Sequence, residues 1–141
     1  MRPSRVAIAD LPVKLLLAPG MVVMPLRMDL SYEPDDPYAV RVSFTYPGTE
    51  QGVGWVMGRD LLAEGLDGPA GEGDVQIWPV REAGERLVYI RLSPDTGTAL
   101  FEAPAEQIAV FLRATEVIVP RGAESRRVDI DALLTRLLGD R

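Results

Sequence analysis

Residues 59–80, RDLLAEGLDGPAGEGDVQIWPV, change conformational period in the middle of the chain. Leu61, Leu62 and Leu66 recur at helical spacing, Gly65 and the run DGPAG stop the helix, and from Asp74 the alternation of a strand resumes. A short helix and a glycine-rich loop therefore separate the segment before residue 59 from the segment after residue 74. The same order limits the chemistry. A phosphate cradle needs free backbone N–H groups at the start of a helix, where the dipole favours an anion. Here the glycines come after the helix, where carbonyls point outward, and Asp67, Glu72 and Asp74 repel phosphate. No Lys-Ser/Thr pair comes after the glycines, which read as loop formers.

Upstream the period is two. Ala7, Ala9, Leu11, Val13, Leu15 and Leu17 share one face of a first strand, and Leu26, Met28, Leu30 and Tyr32 alternate with Arg27, Asp29 and Ser31 in a second. After the turn EPDDP (33–37), Val40, Val42, Phe44 and Tyr46 form a third, and after YPGTEQG (46–52) the run VGWVMG (53–58) forms a short fourth. Downstream, DVQIWPV, RLVYIRLS and GTALFEA read as three more strands, joined at REAGE and at SPDTG. Pro104 suits the first turn of a helix whose stripe is Ile108, Phe111, Leu112 and Thr115. A terminal helix is predicted over 130–138, with Asp129 as N-cap, Val128 and Leu133 as a staple, and Gly139 as its stop. Its face of Ile130, Leu133, Leu134, Leu137 and Leu138 needs burial. Short strands with tight turns, then helices, define an α+β chain. We expect two packed antiparallel β-sheets, a short helix after strand 4 and two C-terminal helices, all in a single domain spanning residues 1–141.

Composition removes whole classes of chemistry. The chain has no histidine and no cysteine, so it offers no imidazole base, thiolate nucleophile, disulfide or zinc site of the usual kind. No cofactor or metal is expected. Asp10, Pro12 and Lys14 interrupt any signal-peptide core, and the uncharged run Leu15–Leu26 contains Pro19, Gly20 and Pro25 and is too short to span a bilayer. A soluble cytoplasmic protein is expected. The net charge of −6, from 21 acids against 15 bases, disfavours polyphosphate partners.

Several single residues admit both a chemical and a plainly structural role. Asp60 and Glu64 stand four apart on the short helix and could do acid–base work, but a solvated helix face is the simpler reading. The acids of EPDDP lack the alternating ligands and glycine of an EF-hand loop and read as an acidic turn. Trp55, among Val53, Val56 and Met57, reads as core; Trp78, with Tyr89 and Arg91 on the neighbouring strand, could stack bases. Arg121, Arg126 and Arg127, diluted by Glu124, read as a solvated connection between the last two helices. Gly122 reads as a hinge there.

DPYAV (36–40), the long run VGWVMGRDLLAEGLDGPAGEGDVQIWP (53–79), LFEAP (100–104) and FLRATEVIVPRGAE (111–124) together resemble the SsgA-like family of actinobacterial sporulation-specific cell division proteins. The likeness covers roughly residues 26–138 and is nearer the SsgB branch than the SsgA branch. It implies a non-enzymatic adaptor that positions septa by recruiting or stabilising FtsZ, concentrated at the cell septum through protein contacts. It also implies a homotrimer that associates with related paralogues, and a resemblance to Whirly-type single-stranded nucleic-acid-binding folds. The alternative is nucleic-acid binding of that type, which the acidic charge opposes. Within the signature stretch, Arg59, Asp60 and Glu64 are polar positions that packing does not require, and are expected to meet a partner. A bulkier residue at the Gly122 hinge is expected to disturb division more than stability.

Overall fold

A computed structural model of the chain describes residues 5–17, 22–93 and 97–138. Seven strands form one sheet: β1 (Val6–Leu17), β2 (Val22–Tyr32), β3 (Ala39–Thr45), β4 (Gly52–Gly58), β5 (Val75–Glu82), β6 (Glu85–Leu92) and β7 (Ala99–Pro104). Helix α1 (Arg59–Gly65) follows β4, and α2 (Ala105–Ile118) and α3 (Glu124–Leu137) close the chain. The strand order is β4-β3-β2-β1-β7-β6-β5, with neighbours antiparallel. The chain meanders from β1 out to one edge at β4, crosses through α1 to the other edge at β5, and meanders back until β7 pairs with β1.

The α+β class and the element order agree with the sequence reading; two separate sheets do not. Lys14, Leu15 and Leu16 of β1 pair with Glu102, Phe101 and Leu100 of β7, which joins the two halves into a single ladder. The sheet is strongly curled. Phe44 on β3 and Phe101 on β7 stack with ring centroids 4.0 Å apart, although two strands lie between them. A flat sheet with strands about 4.8 Å apart would hold their backbones roughly 14 Å from each other. Alternation along each strand is the same for a curled sheet as for two packed ones, so the pattern alone did not separate them.

The concave face carries the core. Leu26, Met28, Leu30 and Tyr32 of β2, Val40, Val42 and Phe44 of β3, and Val88, Ile90 and Leu92 of β6 are all buried, each contributing about 1.5–3 kcal/mol of transfer free energy. Helix α2 adds Ile108, Phe111 and Leu112 against β1 and β6, as its stripe predicted. In β1 the expected face breaks. Leu11, Val13 and Leu15 are buried, but Ala7, Ala9 and, at the end of the strand, Leu17 are exposed. A bulge places Ala9 and Asp10 together opposite the single residue Asp29 and inverts the parity, so Val6 and Ile8 turn inward instead. Asp10 sits at φ 62, and its N–H donates to Asp29 Oδ1 at 2.8 Å; a short side chain that tolerates the left-handed region suits that place.

The β5–β6 hairpin closes with two residues, Ala83 and Gly84, both at positive φ, the signature of a type I′ turn. Helix α3 begins six residues earlier than predicted, after Ala123, so Asp129 lies inside it and does not cap it. The predicted stop at Gly139 and the turn residues Pro94–Thr96 lie outside the described residues.

Candidate functional site

The start of α1 is set by a buried cation. Gly58 precedes the helix in extended conformation without a side-chain cap, and the Arg59 N–H donates to the Tyr38 carbonyl at 2.8 Å. The Arg59 side chain turns inward and is 0% exposed. Its Nη1 donates to the Val119 carbonyl at 2.7 Å and to Thr115 Oγ1 at 3.3 Å, and Nη2 donates to Glu124 Oε2 at 2.6 Å. The guanidinium lies 4.8 Å from the centre of the Tyr32 ring, a cation–π distance. Arg59 thus ties α1, the C-terminal end of α2, the first residue of α3 and strand β2 to one point. It satisfies the Val119 carbonyl, at a helix end that leaves such groups without intrahelical partners. This corrects the reading of Arg59 as a surface residue: it is required for packing and is not presented to solvent.

Glu124 completes the cluster. Burial pushes its carboxyl up, but the Arg59 hydrogen bond, together with backbone N–H groups of Glu124 itself and Gly122, outweighs this and holds it below the usual glutamate range. Glu124 Oε1 accepts the Gly122 N–H at 2.8 Å. Gly122 stands at φ +94 with open space around it, so the turn between α2 and α3 selects glycine by backbone geometry and not by crowding. Glu124 was missed because its partner is 65 residues away. Thr115 was the available signal: a hydroxyl within an otherwise apolar buried stripe, near a helix end, implies a polar partner in the core.

Asp60 and Glu64 are exposed on the outer face of α1. Asp60 Oδ1 accepts from Arg121 Nε at 3.0 Å, joining α1 to the α2–α3 connection. Arg127 meets Asp35 at 3.5 Å, Arg41 meets Asp36 at 3.8 Å and Arg5 meets Glu33 at 3.4 Å. The acidic turn is therefore an anchoring point for arginines from three places in the chain, and two of the three arginines expected in a solvated connection are engaged. Beyond its first residue α3 runs outward. Ile130, Leu133, Leu134, Leu137 and Leu138 remain exposed along one side, so the face expected to be buried is uncovered in the single chain.

The second candidate lies on the outer face of β5 and β6. Trp78 and Tyr89 have ring centroids 5.8 Å apart, and the Arg91 guanidinium sits 5.3 Å over the Trp78 ring while also donating to Gln76 Oε1. The sequence-predicted trio is brought together. Carboxylates surround it: Asp67 and Glu72 line the hollow beside Trp78, and burial, Glu102 and Glu82 push the Tyr89 phenol up. Trp55 is half-buried against the core, as expected. Among the described residues no helix is long and apolar enough to cross a membrane.

The family described as "Streptomyces sporulation and cell division protein, SsgA" matches residues 26–124. The sporulation-specific cell division protein SsgB of Streptomyces coelicolor is 46% identical over 117 residues, covering 83% of this chain and 85% of that protein. SsgB of Frankia casuarinae is 42% identical over 130 residues, covering 92% and 90%. Two solved structures superpose. One, from a study of SsgB mutations and longitudinal cell division during sporulation of Streptomyces coelicolor, gives a TM-score of 0.81 at 42% identity over 89% of this chain and 96% of its own. The other, an SsgA-like sporulation-specific cell division protein of Thermobifida fusca, gives 0.87 at 37% identity over 95% and 96%.

Proposed function

The chain belongs to the SsgA family of sporulation and cell division proteins, and on that premise we propose that it is a non-enzymatic adaptor that recruits or stabilises FtsZ at sporulation septa. The observation that carries the reading is the match to SsgB proteins along nearly the whole chain. The exposed leucine row of α3 supports it, because large apolar side chains left uncovered in line mark surfaces that other proteins meet. Asp60 and Glu64 add an exposed polar surface on α1, which Arg121 ties to the α2–α3 connection. The working form is a homotrimer in the cytoplasm that reaches the septum through FtsZ and related paralogues. Crosslinking to FtsZ followed by peptide mapping tests this: crosslinks concentrated on α1 and α3 support it, and none to FtsZ at any position would refute it.

A second reading rests on the Trp78–Tyr89–Arg91 cluster, which has the composition of a base-stacking platform. Arg91 already lies on the Trp78 ring and the surroundings are acidic, both of which work against a phosphate backbone. Binding of labelled single-stranded oligonucleotides across a salt series decides it; steeply salt-dependent binding lost in Trp78→Ala would favour this reading.

A further inference from the structure

The two edges of the sheet differ. On the free side of β5, Ala70 exchanges backbone hydrogen bonds with Ile77 at 2.8 and 2.9 Å, and Pro79 removes a donor. Both devices block further pairing. Strand β4, GVGWVMG, has neither: it carries no charge and no proline, and among the described residues its backbone pairs only with β3. Its two sides also differ. On the concave side Val53, 60% exposed, and Trp55 border a cavity of about 190 Å³ lined with Phe44, Phe101, Leu26 and Leu92. On the convex side Gly54 and Val56 share a shallow hollow with Arg41, Arg5 and Asp29, and the Asp29 carboxylate is engaged by the Asp10 N–H.

We propose that the free edge of β4 accepts one added β-strand from a protein partner, an extended peptide that alternates apolar and acidic residues. Alternation sends every second side chain toward the cavity beside Val53 and the others toward the convex side. Arg41 is directly across from Val56 on β3, one strand in from the edge, within reach of an acid on the added strand. Its pair with Asp36, at 3.8 Å between two side chains more than half exposed, is exchangeable at little cost. A second copy of β4 fits less well: it would bring no acid, and two-fold pairing would turn the Arg41 side chains of both copies toward one interface. The inference goes beyond the adaptor reading, since it concerns a peptide edge and not the α1 and α3 surfaces.

The probe is a labelled eight-residue peptide alternating valine and glutamate, with its valine–lysine counterpart, titrated against the full chain by fluorescence anisotropy. The glutamate peptide is expected to bind at least about tenfold more tightly than the lysine peptide, Arg41→Glu to reverse the order, and Val53→Lys to abolish binding. Bound peptide is expected to slow amide hydrogen exchange in residues 52–57, which adhesion elsewhere would not. Failure of both peptides to bind, equal binding by Val53→Lys, or unchanged exchange in β4 would overturn the proposal, as would β4-dependent dimerisation blocked by Val53→Lys. The readings separate cleanly: Val53→Lys that loses the peptide yet still pellets with FtsZ supports the edge site and leaves the FtsZ surface elsewhere.

Discussion

Arg59 and Glu124 have side chains 0% and 5% exposed, so removing one leaves the other charged without a partner in the interior. Arg59→Met is expected to cost about 3–5 kcal/mol, read as a fall in denaturation midpoint, and Arg59→Met with Glu124→Leu is expected to recover much of that loss. Acid offers an independent check. The Glu124 carboxyl is depressed in the folded chain, so its contribution is complete above the unfolded value of about 4.3 and fades as pH falls from there through the lower folded value. The stability difference between wild type and Glu124→Gln should therefore shrink below about pH 4 and be flat at neutral pH. Gly122, at φ +94, predicts a roughly 1–3 kcal/mol loss in Gly122→Val from strain alone. Because Glu124 binds the Gly122 N–H, that strain reaches the α2–α3 junction. Gly122 was legible, since glycine after Pro120 and Arg121 announces a turn. Arg59 was not, because a charge next to a signature helix looks solvated until its distant partner is known.

Elements were legible wherever one local period held throughout. β2 and α2 bury the residues their alternation or stripe assigned, and β3 buries Val40, Val42 and Phe44 but ends at Thr45, so Tyr46, the last residue its alternation assigned, is exposed. β1 broke the pattern because a one-residue bulge at Asp10 inverts every inward position before it, and only the charged residue amid apolar neighbours hinted at it. The start of α3 was misplaced for a tertiary reason: Glu124, held by Arg59, begins the helix without a local capping residue. The β5–β6 turn offers a simple test of local chemistry. Ala83 is in the left-handed region at φ 51, where asparagine is better suited, so Ala83→Asn should raise the melting temperature by the equivalent of on the order of 1 kcal/mol. For α3, replacing Leu134 and Leu137 by serine should change monomer stability by less than about 0.5 kcal/mol, because both are exposed, while sharply reducing FtsZ pelleting. A large loss of stability instead would mean that the row is packed against the chain's own core in solution.

At the scale of the molecule, the chain joins an acidic exterior to a curled antiparallel sheet with one guarded edge and one open edge. Whether the halves formed one sheet or two lay in the pairing of β1 with β7, strands far apart in sequence, and no local signal encodes that pairing. The family, by contrast, was legible from the run 53–79, since a helix, a glycine loop and a strand with those identities form one compact unit. The central claim is that this molecule acts by holding FtsZ. The most direct measurement is co-sedimentation of the purified full chain with FtsZ and GTP: the protein is predicted to pellet in proportion to FtsZ polymer, and to pellet less when Leu134 and Leu137 are serine. A protein that stays in the supernatant while FtsZ filaments form unchanged in amount and length would contradict the account.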